Sequence, residues 1–133
     1  MITSGGKNVS PQNIEGQLAR IPGVAHAVVV GDARKHLAAL LTLDREAAPR
    51  EGRACESMAG TIEALCLDPR FIERIGRAVD EVNRGLASYE TIKKFRLLPA
   101  QFGIESGELT PTLKLRRKAV NQRFAREIEE LFA

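Results

Sequence analysis

Apolar positions along the chain alternate between helical spacing and strand-like runs. Ile14, Leu18 and Ile21 recur at intervals of three and four after Ser10-Pro11. This predicts a first helix with Ser10 as N-cap and Pro11 at the first helical position, where the missing N–H has no bond to lose. Pro22-Gly23 closes it. "VAHAVVVGD" (24–32) and "HLAALLTLD" (36–44) are apolar runs joined through Gly31 and Asp32, and they predict an antiparallel pair of strands. The polar text from Arg45 to Arg53, with Pro49 and Gly52, reads as loop. Residues 57–67 read as a short helix. Asp68-Pro69 then opens a stronger one with Ile72, Ile75, Val79, Val82 and Leu86 on one stripe. "YETIKKFRLLP" (89–99) passes from a turn of helix into a third strand, in which Phe95 and Leu97 alternate with Lys94 and Arg96. After a glycine-containing loop from Phe102 to Gly107, one last helix carries Val120, Phe124, Ile128 and Leu131 on one side.

Helices that outnumber a few strands predict an α+β fold: a small, mainly antiparallel three-stranded sheet packed with helices, plus a short N-terminal β-turn or hairpin. Its length of 133 residues, 44% hydrophobic and 28% charged, suits one domain over residues 1–133 with a modest buried core. A net charge of +3 favours encounters with phosphate-bearing partners without naming one. Five Phe, one Tyr and no Trp are too few for a base-stacking platform, and acids interrupt the basic segment 114–126, so nucleic acid is not an expected partner. Cys55 and Cys66 lack a ligand spacing and read as idle thiols, with no metal site expected. No signal-peptide pattern opens the chain and no apolar run nears the ~20 residues of a membrane span, so the expectation is a soluble, cytoplasmic protein.

Candidate chemistry concentrates in two places. "ELTPTLKLRRKAV" (108–120) sets Lys114 among Thr110, Pro111 and Thr112, ahead of the basic helix. A helix N-terminus with a nearby ammonium favours anions, and lysine carries a compact charge on a long flexible stem. Ordinary surface decoration is the competing reading, and the residues alone leave both open. Arg123 and Arg126 lie opposite the apolar stripe and are expected on a solvated, pairing face. In "TSGGKNVSP", Gly5-Gly6 is either plain turn chemistry or a loop past which another molecule slides. It is not a P-loop, because the spacing G-x-x-x-x-G-K-S/T is absent. No Ser-His-Asp set and no carboxylate pair completes an active site.

Four stretches in order, "ITSGGKNVSPQNIE", "VVVGDARKHLAALLTLD", "YETIKKFRLLP" and "ELTPTLKLRRKAV", resemble the C-terminal domain of an AMP-forming long-chain fatty-acid–CoA ligase of the acyl-adenylate-forming superfamily. The resemblance runs from Ile2 to the end of the chain. It implies a small mobile lid on a larger N-terminal domain of the same polypeptide, which carries the ATP-binding loops and the fatty-acid tunnel. The implied reaction has two steps. Carboxylate attacks the α-phosphorus of ATP, giving acyl-AMP and pyrophosphate, and the CoA thiol then displaces AMP. ATP, Mg2+ and CoA are thus implied for the parent enzyme, with none expected to bind this domain tightly alone.

By the same resemblance, Lys114 is the lysine that enters the site during adenylation, and Gly5, Gly6, Lys7 and Asn8 line the pantetheine channel after the lid rotates. Lys7, Lys93, Lys94 and Arg116 are the unranked candidates for the CoA phosphates. Many relatives place glycine immediately before the lysine, where this chain has Leu113. The chain starts where the family has its hinge, so it is expected to be a lid inactive on its own. Acyl-chain length and peripheral membrane contact of the parent stay open. The alternative is a free-standing module that binds CoA, acyl-CoA or a partner domain. The presence of both "TPTLK" and "TSGGKN" favours the enzyme lid, since a binding module has no need of both.

Overall fold

Strand β2 (Leu37–Leu43) is buried at every position, which requires cover on both faces and both edges. Its edges are filled by β1 (Val24–Val30) and β3 (Ile92–Leu98) in the order β1-β2-β3, in a computed structural model describing residues 1–133. β1 pairs with β2 antiparallel across a short connection, with Val28 opposite Leu40 and Val30 opposite Ala38. β3 runs parallel to β2, with Phe95 opposite Ala39 and Leu97 opposite Leu41. The connection allows the parallel direction, because the chain leaves β2 through helices long enough for a crossover rather than through a tight turn. The α+β class, the three strands and the helical cover are as the residue pattern implies.

Alternation along the strands divides the core in two. One face, with Val29, Leu37, Ala39 and Leu41, packs against α1 (Pro11–Leu18) and α4 (Pro69–Arg84) through Ile14, Leu18, Phe71, Ile75 and Val79. The other, with Val28, Val30, Leu40 and Leu98, packs against Phe102, Leu109, Val120, Phe124 and Leu131. Of the predicted stripe, Ile75 and Val79 are buried in α4 and Ile72, Val82 and Leu86 are half-buried against the same core, while Phe71, which the stripe omitted, has no exposure, a burial that stabilises by roughly 1.5–3 kcal/mol. Asp68 caps that helix by accepting the Arg70 N–H at 2.8 Å. Ser10, by contrast, makes no side-chain cap bond at α1, although Pro11 stands at the helix start as expected.

Three segments differ from expectation: of residues 57–67, read as a short helix, only 62–65 are helical, starting after Thr61, whose side chain caps them. Residues 45–53, read as loop, hold most of α2 (Ala47–Ala54). Pro49 lies in the first turn, where its missing N–H would have had no intrahelical partner. Asp44 Oδ1 accepts the Glu46 and Ala47 N–H groups at 2.9 and 2.8 Å and organises that turn. Gly52 leaves room for Leu65 of α3 (Ile62–Leu65), since a Cβ there would lie 2.8 Å from its Cδ2 and displace it. The last helix is two: α5 (Arg117–Arg123) and α6 (Ala125–Phe132) meet at Phe124, whose φ of −109° and ψ of 25° break the helical run. Val120, Phe124 and Leu131 are nevertheless buried on one side, because the break leaves the apolar stripe facing the sheet.

Candidate functional site

The lysines singled out in the sequence close two short hairpins that share one hydrogen-bond pattern. In the first, Ile2 pairs with Asn8, the Thr3 N–H donates to the Lys7 carbonyl at 3.0 Å, and the Gly6 N–H donates to the Thr3 carbonyl at 3.0 Å. Thr3 Oγ1 accepts the Lys7 N–H at 3.3 Å. In the second, Leu109 pairs with Leu115, the Thr110 N–H donates to the Lys114 carbonyl at 2.8 Å, and the Leu113 N–H donates to the Thr110 carbonyl at 2.8 Å. Thr110 Oγ1 accepts the Lys114 N–H at 3.1 Å.

Each hairpin is therefore a threonine, two turn residues, one residue in the left-handed region and a lysine. Gly6 has φ 79° and Leu113 has φ 65°. A three-residue hairpin loop asks for that conformation at its third position. Glycine adopts it freely, whereas a residue with a Cβ carries about 1–2 kcal/mol of strain. Leu113 thus meets under strain a backbone requirement that Gly6 meets freely.

The first hairpin docks on the β1–β2 connection, with the Ala33 N–H donating to the Ile2 carbonyl at 2.8 Å and the Ser4 N–H to the Arg34 carbonyl at 3.0 Å. Gly5, Gly6, Lys7 and Asn8 are all exposed. A Cβ built on Gly6 meets nothing within 4 Å, so the backbone presents an open side there. The Lys7 ammonium lies 5.8 Å from the Tyr89 ring centroid, in cation–π range.

The second hairpin has a different setting, because its base is flanked by buried carboxylates. Glu108 is 1% exposed; its carboxylate accepts the Gly103 N–H at 3.2 Å and the Ser106 hydroxyl at 2.5 Å, and pairs with Arg123 at 2.9 Å. Burial pushes the Glu108 carboxyl up, but Ser106, Arg123 and Gly103 together outweigh it and hold it below the usual carboxylate range. Glu15 of α1 receives both guanidinium nitrogens of Arg117, one at 2.7 Å, and its Oε2 also accepts the Val29 N–H at 2.8 Å. Lys114, in the same basic run, is exposed and makes no ion pair. A depression of about 500 Å³ lined by Gln12, Glu15, Lys114, Leu115 and Arg117 places that lysine beside α1.

Arg123 is exposed and paired as expected, but its partner is the buried Glu108 rather than an acid one turn along the helix. Arg126 behaves as expected, exposed and paired with Glu130 at 3.2 Å one turn on. Arg116 is exposed beside Lys114. Lys93 and Lys94 are exposed on β3, Lys93 lining a groove with Gly76 and Asp80 of α4, and no contact joins either to the hairpins. Sequence reading missed Glu15 and Glu108. Neither has a partner at helical spacing that would mark it, and Arg117 lies 102 residues from Glu15.

No three His, Cys, Asp or Glu side chains come together in a way that could hold a metal ion. Cys55 and Cys66 are free thiols, and burial pushes Cys66 up to about 11. No helix is long and apolar enough to cross a membrane.

The family model of the AMP-binding enzyme C-terminal domain matches residues 1–133. The chain belongs to this family. This AMP-binding enzyme C-terminal domain is 42% identical over 135 residues to the long-chain-fatty-acid–CoA ligase FadD15 of Mycobacterium tuberculosis, a match covering 99% of the chain and 22% of the relative. It is 31% identical over 150 residues to the long-chain-fatty-acid–CoA ligase ACSBG2 of Mus musculus, over 99% of the chain and again 22% of the relative. The domain thus spans about a fifth of the length of these curated relatives. Among solved structures, its fold matches the adenylation domain of a carboxylate reductase from Mycobacterium chelonae with a TM-score of 0.78 at 23% identity, over 99% of this chain and 19% of that one. The A-PCP didomain of a carboxylic acid reductase from Segniliparus rugosus, in complex with AMP, matches with a TM-score of 0.76 at 24% identity, over 99% of this chain and 17% of that one.

Proposed function

We propose that this domain is the mobile lid of an AMP-forming long-chain fatty-acid–CoA ligase, with Lys114 serving adenylation and the Gly5–Asn8 hairpin serving thioester formation. What carries the reading is that Lys114 stands exposed and unpaired on a braced hairpin while the neighbouring Arg117 and Arg123 are held by buried carboxylates. A cation kept out of the local pairing scheme is available to a phosphate supplied by another domain. On this reading the remainder of the polypeptide binds ATP with Mg2+ and the fatty acid, and CoA enters past the glycine hairpin.

In the adenylation step the carboxylate oxygen forms a bond to the α-phosphorus of ATP while the bond to the pyrophosphate leaving group breaks. Negative charge shared between the carboxylate and the α-phosphate is what the Lys114 ammonium would stabilise. Two unit charges ~4 Å apart interact by about 1 kcal/mol in water and about 4 kcal/mol at an effective dielectric of 20, so the lysine acts only once the lid has closed and water has left. In the second step the CoA sulfur bonds to the acyl carbon and AMP leaves. A thin pantetheine arm needs a backbone without side chains in its path, which the open side of Gly6 offers.

The test is Lys114→Ala in the full-length ligase. Fatty-acid-dependent pyrophosphate formation is expected to fall on the order of 10²–10³-fold, the effect of losing one preorganised transition-state donor. Thioester formation from ready-made acyl-AMP should be largely spared. Equal loss in both half-reactions would remove the specific role of Lys114.

A further inference from the structure

We propose that Glu15 is a positioning residue for Lys114, acting through Arg117; the inference rests on the adenylation role of Lys114 given above. Lys114 has a flexible stem, so its aim depends on what fixes the hairpin below it. Arg117 follows three residues later and grips Glu15 with both terminal nitrogens. A fork-on-fork contact of this kind sets orientation as well as distance. Glu15 is itself held, since its side chain is only 7% exposed and its Oε2 takes the Val29 N–H of β1 at 2.8 Å. The lysine is therefore connected to the sheet by a short rigid path from Arg117 through Glu15 to Val29. Glu15 also lies on the helix that follows the glycine hairpin, so one side chain references both lysine loops to the same frame.

Stability alone is a poor account of this pair. Burying a carboxylate carries a desolvation penalty that its partner often only offsets, and apolar replacements of buried ion pairs are frequently neutral or stabilising. The one local need that Glu15 meets is an acceptor for the Val29 N–H, which β2 does not satisfy because β1 is an edge strand. A neutral amide oxygen would meet that need equally well. The charge and the second oxygen are in excess of it, and both are directed at Arg117.

This separation gives the experiment. In the full-length ligase, Glu15→Gln keeps an acceptor for Val29 and removes the charged fork on Arg117. It is expected to lower kcat for fatty-acid-dependent pyrophosphate formation about 10–100-fold, the range for an ångström-scale misplacement of a reacting group. KM for ATP and fatty acid should stay within about twofold, because substrate binding does not pass through the fork; the thermal midpoint falls as a buried pair is broken, so kcat is read well below the midpoint of the variant. The decisive comparison is the double variant: in a Lys114→Ala background, Glu15→Gln should cause no further loss, since a residue acting through the lysine has nothing left to position. An unchanged kcat in the single variant, or the same fold-loss in both backgrounds, overturns the inference. Should Glu15→Gln fail to fold, Arg117→Lys, which leaves a cation on Glu15 without the fork, is run through the same cycle and judged by the same outcomes. A Lys114→Ala enzyme with intact adenylation defeats the functional reading itself, and is recognised before the cycle is drawn.

Discussion

Replacing Arg123 by methionine should destabilise the domain in a way that fades with acid. The Glu108 carboxylate is 1% exposed, and Arg123 is its cationic partner at 2.9 Å. Removing one partner of a fully buried pair costs about 3–5 kcal/mol. Arg123 keeps 42% of its side chain in solvent, so part of its effect is screened, and Ser106 and Gly103 remain to bond the carboxylate. The expected loss at pH 7 is therefore about 2 kcal/mol, close to that of one hydrogen bond to a charged group. For a domain of this size that lowers Tm by roughly 6–10 °C. The pH dependence follows from the direction of the Glu108 shift. Its folded pKa is depressed, so its contribution to stability is present above the unfolded value of about 4.3 and lost as pH falls through the lower folded value. Without Arg123 the burial that pushes the carboxyl up is opposed less, the folded pKa rises, and that contribution shrinks. The gap in Tm between parent and Arg123→Met should be widest near neutrality and narrower at about pH 4, as the variant protonates Glu108 first, closing fully only below the depressed Glu108 value of the parent. Thermal melts followed by circular dichroism across that range measure it. An equal gap at both pH values would show that Arg123 acts by packing on Phe124, 4.9 Å from its guanidinium, and not by pairing.

Two further substitutions test the frame around the hairpins. Gly31→Ala should lower stability by about 2–4 kcal/mol, read as a reduced urea midpoint, because φ there is 143° and a Cβ would lie 2.8 Å from the His36 carbonyl oxygen; a neutral result would contradict the packing of the β1–β2 connection. His26→Phe should flatten the fall of stability with acid. Burial lowers the His26 pKa and its Nδ1 has no partner, so the unfolded chain binds the extra proton and stability drops as pH falls below about 6.5. An unchanged slope between pH 7 and 5.5 would place that loss in other groups.

Local patterns made most of the fold legible. Apolar stripes located α1 and α4, and apolar runs located all three strands, because helical and strand periodicities are written in neighbouring residues. Where a residue's role depended on something distant, the reading failed. Pro49 and Gly52 look like loop residues until the first-turn position of one and the contact of the other with Leu65 are seen. The break at Phe124 is invisible in a stripe that continues through it. For the site, "TSGGK" and "TPTLK" were conspicuous as text, but their equivalence as hairpins was not, since Gly6 and Leu113 share only a backbone angle. Nothing in the neighbouring residues marks Glu15 and Glu108, and only tertiary packing makes them buried anchors for Arg117 and Arg123.

The central claim is that the two hairpins serve different steps of one reaction, and a single paired measurement addresses it. Lys114→Ala and Gly6→Ala are made in the full-length protein, proposed above to be a ligase, and each is assayed for pyrophosphate formation and for thioester formation from supplied acyl-AMP, well below the melting temperature of either. The account predicts opposite selectivity: the lysine variant loses adenylation by the larger factor, and the glycine variant loses thioester formation by the larger factor. Two variants that lose the same half-reaction, or lose both steps in equal proportion, would contradict it.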